Sequence, residues 1–259
     1  MKIVVLMKQV PNKDAILRVN REGKWIEEGD LSFEVNESDA YALEEALRIK
    51  EKRGAGEVVV VSMGPQRVKA VIKDALARGA DRAVHVVGDG LDRVGPFGAA
   101  SILAEAVRGE GADLILSGLQ SDDNGYAQTG VILAELLGLP HATIVIEVDW
   151  PGEQLRVKRE LESGWYQWYT MPTPALLTIQ SGISQIRYAT LKGIMAAKKK
   201  EIREVQPAAE ALSGEGGYQE LTRIYFPEKT KQTQFLGDGD AKAGAVQLAE
   251  KLRTEARIF

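Results

Sequence analysis

The sequence predicts an α/β fold: an open, doubly wound parallel sheet with helices on both faces, of the adenine-nucleotide-binding type, with added antiparallel hairpins and a C-terminal arm. Three observations carry that prediction. Short apolar runs alternate with amphipathic helical stretches as far as Trp150, the βαβ rhythm of a parallel sheet. Runs such as Val58–Val61 and Leu114–Leu116 are apolar without alternation, so each needs cover on both faces. A polar, glycine-bearing loop, GLQSDDNGYAQTG, follows the second of these runs and opens a helix, which is where open α/β sheets bind nucleotides.

Taken in order, Lys2–Met7 is the first strand, closed by Lys8. Its apolar run, Ile3–Met7, is too short for a signal-peptide core or a membrane span, so a cytoplasmic protein is expected. The stretch LRVNREGKWIEEG alternates around Glu22-Gly23 and suggests a small hairpin. A helix then covers about Asp39–Lys52, and Glu57–Met63 is the second strand. The helix Pro65–Arg78 has Pro65 in its first turn, Val68, Val71, Ile72, Ala75 and Leu76 on one face, and Gly79 just past its end. Arg82–Val87 (strand), Pro96–Arg108 (helix), Asp113–Ser117 (strand), a helix striped by Val131, Leu133, Leu136 and Leu137, and Ala142–Val148 (strand) continue the series. Right-handed crossovers place the helices on both faces.

After Trp150 the rhythm changes. Gln154–Leu161 and Trp165–Thr170 alternate across Glu162-Ser163-Gly164 as an antiparallel hairpin, and Pro172 and Pro174 precede one more strand, Ala175–Ile179. The expected division is a nucleotide-binding α/β domain over 1–203 and a C-terminal arm over 204–259 that carries GEGG at Gly214–Gly217 and a final helix, Ala241–Arg257. Such an arm has little core of its own and either wraps a neighbour or hangs free.

Bulk composition excludes several classes. A chain of 259 residues with a net charge of −4 has no general attraction for polynucleotides, and no aromatic-studded basic stripe marks a groove for them. The absence of cysteine excludes disulfides, thiolate-held iron–sulfur clusters and a cysteine nucleophile, so any redox role uses a borrowed cofactor. His85 and His141 lie far apart, without zinc-site spacing, and read as structural.

The loop after Leu116 has the chemistry of a nucleotide cradle. Main-chain amides near Gln128, Thr129 and Gly130 fall in the first turn of a helix and attract anions. Gly125 and Gly130 allow close approach to the main chain, and Gln120, Ser121, Asn124 and Thr129 offer neutral hydrogen bonds. Asp122 and Asp123 oppose a bare phosphate, so they face ribose or solvent unless a cation is present. The loop is neither GxGxxG nor GxxxxGK[ST], and an ordinary polar turn is the competing reading.

A second segment, GISQIRYATLKGIMAAKKKEIRE, sets Leu191, Ile194 and Met195 among small and basic residues. Leu191 is either an exposed anchor beside Lys192, Lys198, Lys199 and Lys200 or an ordinary inward-packed helix residue. RYATLKGIM followed by AAKKKEI resembles the recognition loop of the beta subunits of electron-transfer flavoproteins, and MPTPALLTIQ resembles the signature just before it. KIVVLMKQV, VNESDAYALEEALRIKEK, VVVVSMGP, ALARGADRAVHV and GLQSDDNGYAQTG each resemble the corresponding family segment, in order, over nearly the whole length.

The resemblance implies an electron carrier rather than an enzyme, with no catalytic residue. Its partners would be an alpha subunit in a heterodimer, primary flavin dehydrogenases and a quinone-reducing oxidoreductase, without nucleic acid or membrane insertion. FAD would lie at the interface, mainly on the alpha subunit, and this chain would hold a structural AMP. Carried over by position, the AMP site is Leu6, then Asn36, Glu37, Ser38 and Asp39, then Met63, then Gly118, Gln120, Ser121, Asp122, Asp123, Asn124, Gly125, Tyr126, Gln128 and Thr129. Where relatives carry an acidic run this chain has Asp122-Asp123-Asn124-Gly125. Arg187, Tyr188, Ala189, Thr190, Leu191, Lys192, Gly193, Ile194, Met195 and Ala196 would form the docking loop, with Leu191 as anchor. Lys13 and Ser38 stand where an aromatic beside the flavin would be sought, and no flavin contact is assigned. A bifurcating form holding a second FAD in place of AMP, or a stand-alone adenine-nucleotide sensor or adenylating enzyme, are the alternatives.

Overall fold

The computed structural model describes residues 1–207, 221–228 and 231–258, so Gly214–Gly217 lie outside the described residues. The chain forms two compact units, Met1–Thr222 and Arg223–Phe259. In the first, the order is β1 (Lys2–Leu6), β2 (Gln9–Pro11), β3 (Phe33–Val35), α1 (Glu37–Arg53), β4 (Glu57–Gly64), α2 (Lys69–Arg78), β5 (Arg82–Val87), α3 (Pro96–Arg108), β6 (Leu114–Gly118), α4 (Thr129–Leu137), β7 (His141–Asp149), β8 (Leu155–Glu160), β9 (Tyr166–Met171), β10 (Ala175–Ile179), α5 (Leu191–Ala197) and β11 (Ile202–Val205). The second unit holds one described α-helix, α6 (Ala241–Thr254), with Asp240 accepting from the Lys242 amide at its start.

A nine-stranded sheet runs β11-β5-β4-β1-β6-β10-β7-β8-β9. It is parallel from β11 to β7, and β8 and β9 extend it antiparallel. Alternate residues on the central strands serve different layers. Ile3 and Val5 of β1, with Val58 and Val60 of β4, pack with Leu43 and Leu47 of α1 and Ile72 and Leu76 of α2. Val4, Leu6, Val59 and Val61 pack with Leu103 and Ala104 of α3 and Leu133 of α4. Burial on both faces accounts for the unbroken valine run, because no position in a central parallel strand faces water.

Strand order reverses at β1, whose neighbours are β4 on one side and β6 on the other. That reversal leaves a crevice outside the carboxyl ends of β1, β4 and β6.

Several local expectations need correction. The hairpin at Glu22-Gly23 is reduced to a single bridge between Val19 and Ile26. Asn20 turns the chain there, its Oδ1 accepting from the Lys24 and Trp25 amides at 3.2 and 3.3 Å. The regular pairing instead joins β2 to β3, at the two ends of the insertion. Pro65 does not enter α2; it precedes a 3-10 turn, Gln66–Val68, in which the Val68 amide donates to the Pro65 carbonyl at 3.0 Å. The last helix ends at Thr254, short of Arg257, whose φ is +52°. β11 had no sequence signal beyond two apolar residues, and it pairs in parallel with β5 at the sheet edge.

Candidate functional site

The crevice has roughly 940 Å³ of empty space, its mouth included. It gathers Leu6, Asn36, Asp39, Met63, Gly118, Gln120, Ser121, Asn124, Tyr126 and Thr129 from the residues named by sequence. Lys8, Ser117 and Ala127 join them, and an apolar wall of Leu91, Val94, Pro96 and Leu103 completes the lining. Ala127 falls inside the loop named by sequence, whereas Lys8, Ser117 and the wall were missed. Lys8 read only as a strand terminator, and a wall contributed from a separate βα unit leaves no local pattern.

Glu37, Ser38, Asp122 and Asp123 form an outer clasp instead of lining the space. Asn36 Nδ2 donates to Ser38 Oγ and to the Gln120 carbonyl, both at 3.0 Å, while its Oδ1 accepts from the Asp122 amide at 2.8 Å. Ser38 Oγ donates to the Gln120 carbonyl at 2.7 Å. The Glu37 amide, at the start of α1, donates to Asp122 Oδ2 at 2.9 Å, where a carboxylate suits both the unpaired amide and the helix dipole. Asp123 receives Lys8 Nζ at 2.7 Å on each oxygen. Burial opposes ionisation of Asp123, but the Lys8 charge and hydrogen bonds from Lys8, Ser121 and the Asn124 amide outweigh it and hold the carboxyl below its ordinary range. The two acids, exposed to solvent, staple the loop to α1 and to the end of β1. Gly125 and Gln128 are exposed on the loop.

Asp39 is buried and accepts the Lys8 amide on one oxygen and the Gly118 amide on the other, each at 2.8 Å. It thereby fixes the exits of β1 and β6. Burial pushes its carboxyl up to about 6, against the hydrogen bonds from Lys8, Gly118 and Asn36. Gly118 makes this approach possible, since a Cβ there would lie 2.1 Å from Ser38 Oγ and 2.5 Å from Asp39 Oδ1. Gly130 is closely packed: a Cβ on it would meet Ser117 Oγ and Thr178 Cγ2 at 2.8 Å.

α4 begins without a side-chain cap, after Ala127 at φ +54°. The first amide to reach a main-chain acceptor there is that of Ile132, to the Gln128 carbonyl at 3.0 Å. Preceding amides of the first turn point out of the helix end, an anion-binding arrangement. Ser117 Oγ, beneath that turn, is buried and has no hydrogen-bond partner. An apolar wall for a flat ring, uncapped amides for an anion and neutral hydroxyls fit an adenine nucleotide. No group of three or more His, Cys, Asp or Glu placed to hold a metal ion occurs among the described residues.

His85 is buried in β5, with Nε2 3.0 Å from the Gly64 carbonyl. Burial pushes its imidazole below the ordinary histidine range. His141 opens β7 and is exposed.

The second candidate segment lies apart from the crevice. Leu191 opens α5 with 84% of its surface exposed, and Tyr188 is 91% exposed, so the inward-packed reading of Leu191 fails. Ile194 and Met195 are exposed beside it, and Ala197 is the buried residue of the helix. Thr190 Oγ1 accepts from the Gly193 amide at 3.0 Å as an N-cap. Gly193 lies so close to α2 that a Cβ would come 2.2 Å from the Ala77 carbonyl oxygen. Arg187 turns its guanidinium to Glu44 (2.9 and 3.0 Å) and Glu51 (2.6 and 3.1 Å), anchoring the loop to α1. Lys200 donates to the Leu76 and Ala80 carbonyls at the end of α2, at 3.0 and 2.5 Å.

Fold and site together define a doubly wound α/β protein with a switch-point crevice and, elsewhere on its surface, a braced apolar knob. A family model described as electron transfer flavoprotein domain matches residues 24–210. The chain is 39% identical to the electron transfer flavoprotein subunit beta of Methylophilus methylotrophus, over 95% of this chain and 96% of that one. It is 36% identical to the subunit beta of Bradyrhizobium diazoefficiens over the full length of both, and 35% identical to that of Homo sapiens over 80% of this chain and 82% of the relative. The chain belongs to the electron-transfer flavoprotein family, as a beta subunit, and serves electron transfer. No helix among the described residues is long and apolar enough to cross a membrane.

Proposed function

We propose that this chain is the redox-silent half of a heterodimeric electron carrier of the cytoplasm. It holds AMP as a structural ligand in the switch-point crevice, and an alpha subunit carries most of the contacts to an interfacial FAD. The C-terminal arm, which begins only after β11, wraps that subunit. FAD, when bound, supplies the electron-accepting centre. This chain's own residues bind, orient and dock. Asp39 and Gly118 shape the crevice floor, the first turn of α4 with Thr129 receives the phosphate, and the apolar wall around Leu91 and Leu103 takes the adenine. Segment 187–196 engages primary flavin dehydrogenases through Leu191, and the electrons pass on to a quinone-reducing oxidoreductase.

The observation that carries the nucleotide assignment is the pairing of an uncapped helix start with a buried, partnerless Ser117 hydroxyl at the topological switch point. Acid extraction of the native complex followed by mass spectrometry tests it. One FAD and one AMP per heterodimer is the expected content. Two flavins and no AMP would instead make this a bifurcating subunit, and a colourless, self-sufficient monomer without adenylate would overturn the whole reading.

A further inference from the structure

The wall of the crevice carries one cation, and that cation is already spent. Lys8 is the only Lys, Arg or His among the described lining residues, and its Nζ lies 2.7 Å from both oxygens of Asp123 and 3.4 Å from Ser121 Oγ. The one lining acid, Asp39, is buried with its two oxygens on main-chain amides. Asp122, next to the Lys8 partner, is held by the Glu37 amide. An entering phosphate therefore meets neutral donors and a helix end equivalent to about half a positive charge, with no unpaired lining cation beside them. Each further phosphoryl group adds negative charge that no unpaired lining cation offsets. Recruiting Lys8 to meet it would strip Asp123 of its counter-ion, so the gain on one side is lost on the other.

We propose that the Lys8–Asp123 ion pair is a specificity filter, which withholds the cation from the ligand and sets the crevice to take a nucleoside monophosphate and refuse the di- and triphosphate. The inference rests on the assignment of an adenine nucleotide to this crevice and adds the residues that choose its charge. The filter acts by exclusion: a contact between two protein groups removes the attraction a longer phosphate chain would need. Asp123 therefore works through Lys8 and not by touching the nucleotide.

The test is competition on the native heterodimer equilibrated with labelled AMP and challenged with ADP or ATP without divalent cation. The unaltered protein should lose label to unlabelled AMP at far lower concentration than to ADP or ATP. Asp123→Asn frees Lys8 and should shrink the preference for AMP over ATP by about tenfold or more. The double variant Lys8→Gln/Asp123→Asn should restore the preference, because the released charge is gone. An unchanged AMP-to-ATP ratio in Asp123→Asn, or equal weakening of all three nucleotides, overturns the filter while leaving the nucleotide assignment intact. A native heterodimer that retains no adenylate fails at the first step, before any variant is made, and overturns the assignment itself.

Discussion

Asp39 shows how one side chain shapes a binding region without a role in chemistry. Its carboxylate sits where the exits of β1 and β6 both need an acceptor, and it tolerates burial because two main-chain amides replace water. The cost appears in its proton affinity, raised to about 6 by desolvation. A carboxyl whose folded value lies above its unfolded one contributes stability when protonated, fully present below about 4 and lost as pH rises through about 6. Urea unfolding between pH 4 and 6.5 should therefore show a term of up to about 3 kcal/mol that Asp39→Asn removes. Identical slopes in the two proteins would mean that the carboxyl titrates normally. Nothing in ESDAY marks Asp39 as buried, since an acid in a first helical turn ordinarily reads as a solvated dipole partner. Its burial depends on Gly118, a residue 79 positions away.

Elements were legible where burial imposed a period and illegible where it did not. The valine run of β4 and the stripe of α2 announce themselves because two packed faces demand apolar residues at fixed intervals. β2 and β3 are three residues each and β11 four, too short for a pattern, and their pairing is set by what they lie beside. Sequence likewise set the candidate loop after the run that becomes β6 but could not order the sheet. β10 inserts between β6 and β7, and strand order is a long-range property. Segment 187–196 was visible as apolar residues among lysines, whereas its mounting was not. That mounting is open to test with two variants. Gly193→Ala forces a Cβ onto the Ala77 carbonyl and should cost about 1–3 kcal/mol, read as a lower midpoint in thermal unfolding. Leu191→Ala, at an exposed site, should leave stability within about 0.5 kcal/mol. The same variant should slow electron acceptance from dehydrogenases, since a buried leucine is worth about 1.5–3 kcal/mol. Unchanged kinetics across several dehydrogenases would remove the docking role.

Across the main unit, the two ends of the parallel sheet do different work. At the amino ends of the strands, Glu110 is buried among Arg82, Arg203 and Lys2, with Arg203 Nη2 at 2.7 Å and Lys2 Nζ at 3.7 Å. Arg82 also holds Glu57 at 2.7 Å, so the cluster ties the starts of β1, β4, β5 and β11 together. The hydrogen bond from Arg82, with help from Arg203, holds the Glu110 carboxyl below the ordinary glutamate range. Its contribution is thus present above that range and lost as pH falls through the lowered value. Glu110→Gln should destabilise by about 1–3 kcal/mol at pH 7 and flatten the loss of stability on acidification, as followed by urea midpoints. Equal midpoints at pH 7 would show the cluster to be mere surface decoration. At the carboxyl ends Lys8 and Asp123 clasp a loop, while Glu28 holds Arg67 and Arg93, from the segments after β4 and β5, at 3.2 and 3.3 Å.

In the proposed docking role, the brace under α5 bears on the rate of exchange between partners. With Gly193 against the Ala77 carbonyl, Arg187 locked to α1 and Lys200 to the end of α2, the segment loses its freedom when the chain folds and not at each encounter. For any protein that grips Leu191, little entropy is surrendered on arrival and little regained on departure. A knob so mounted suits a shuttle, which must fit many sockets briefly and leave each without having to unlearn a shape.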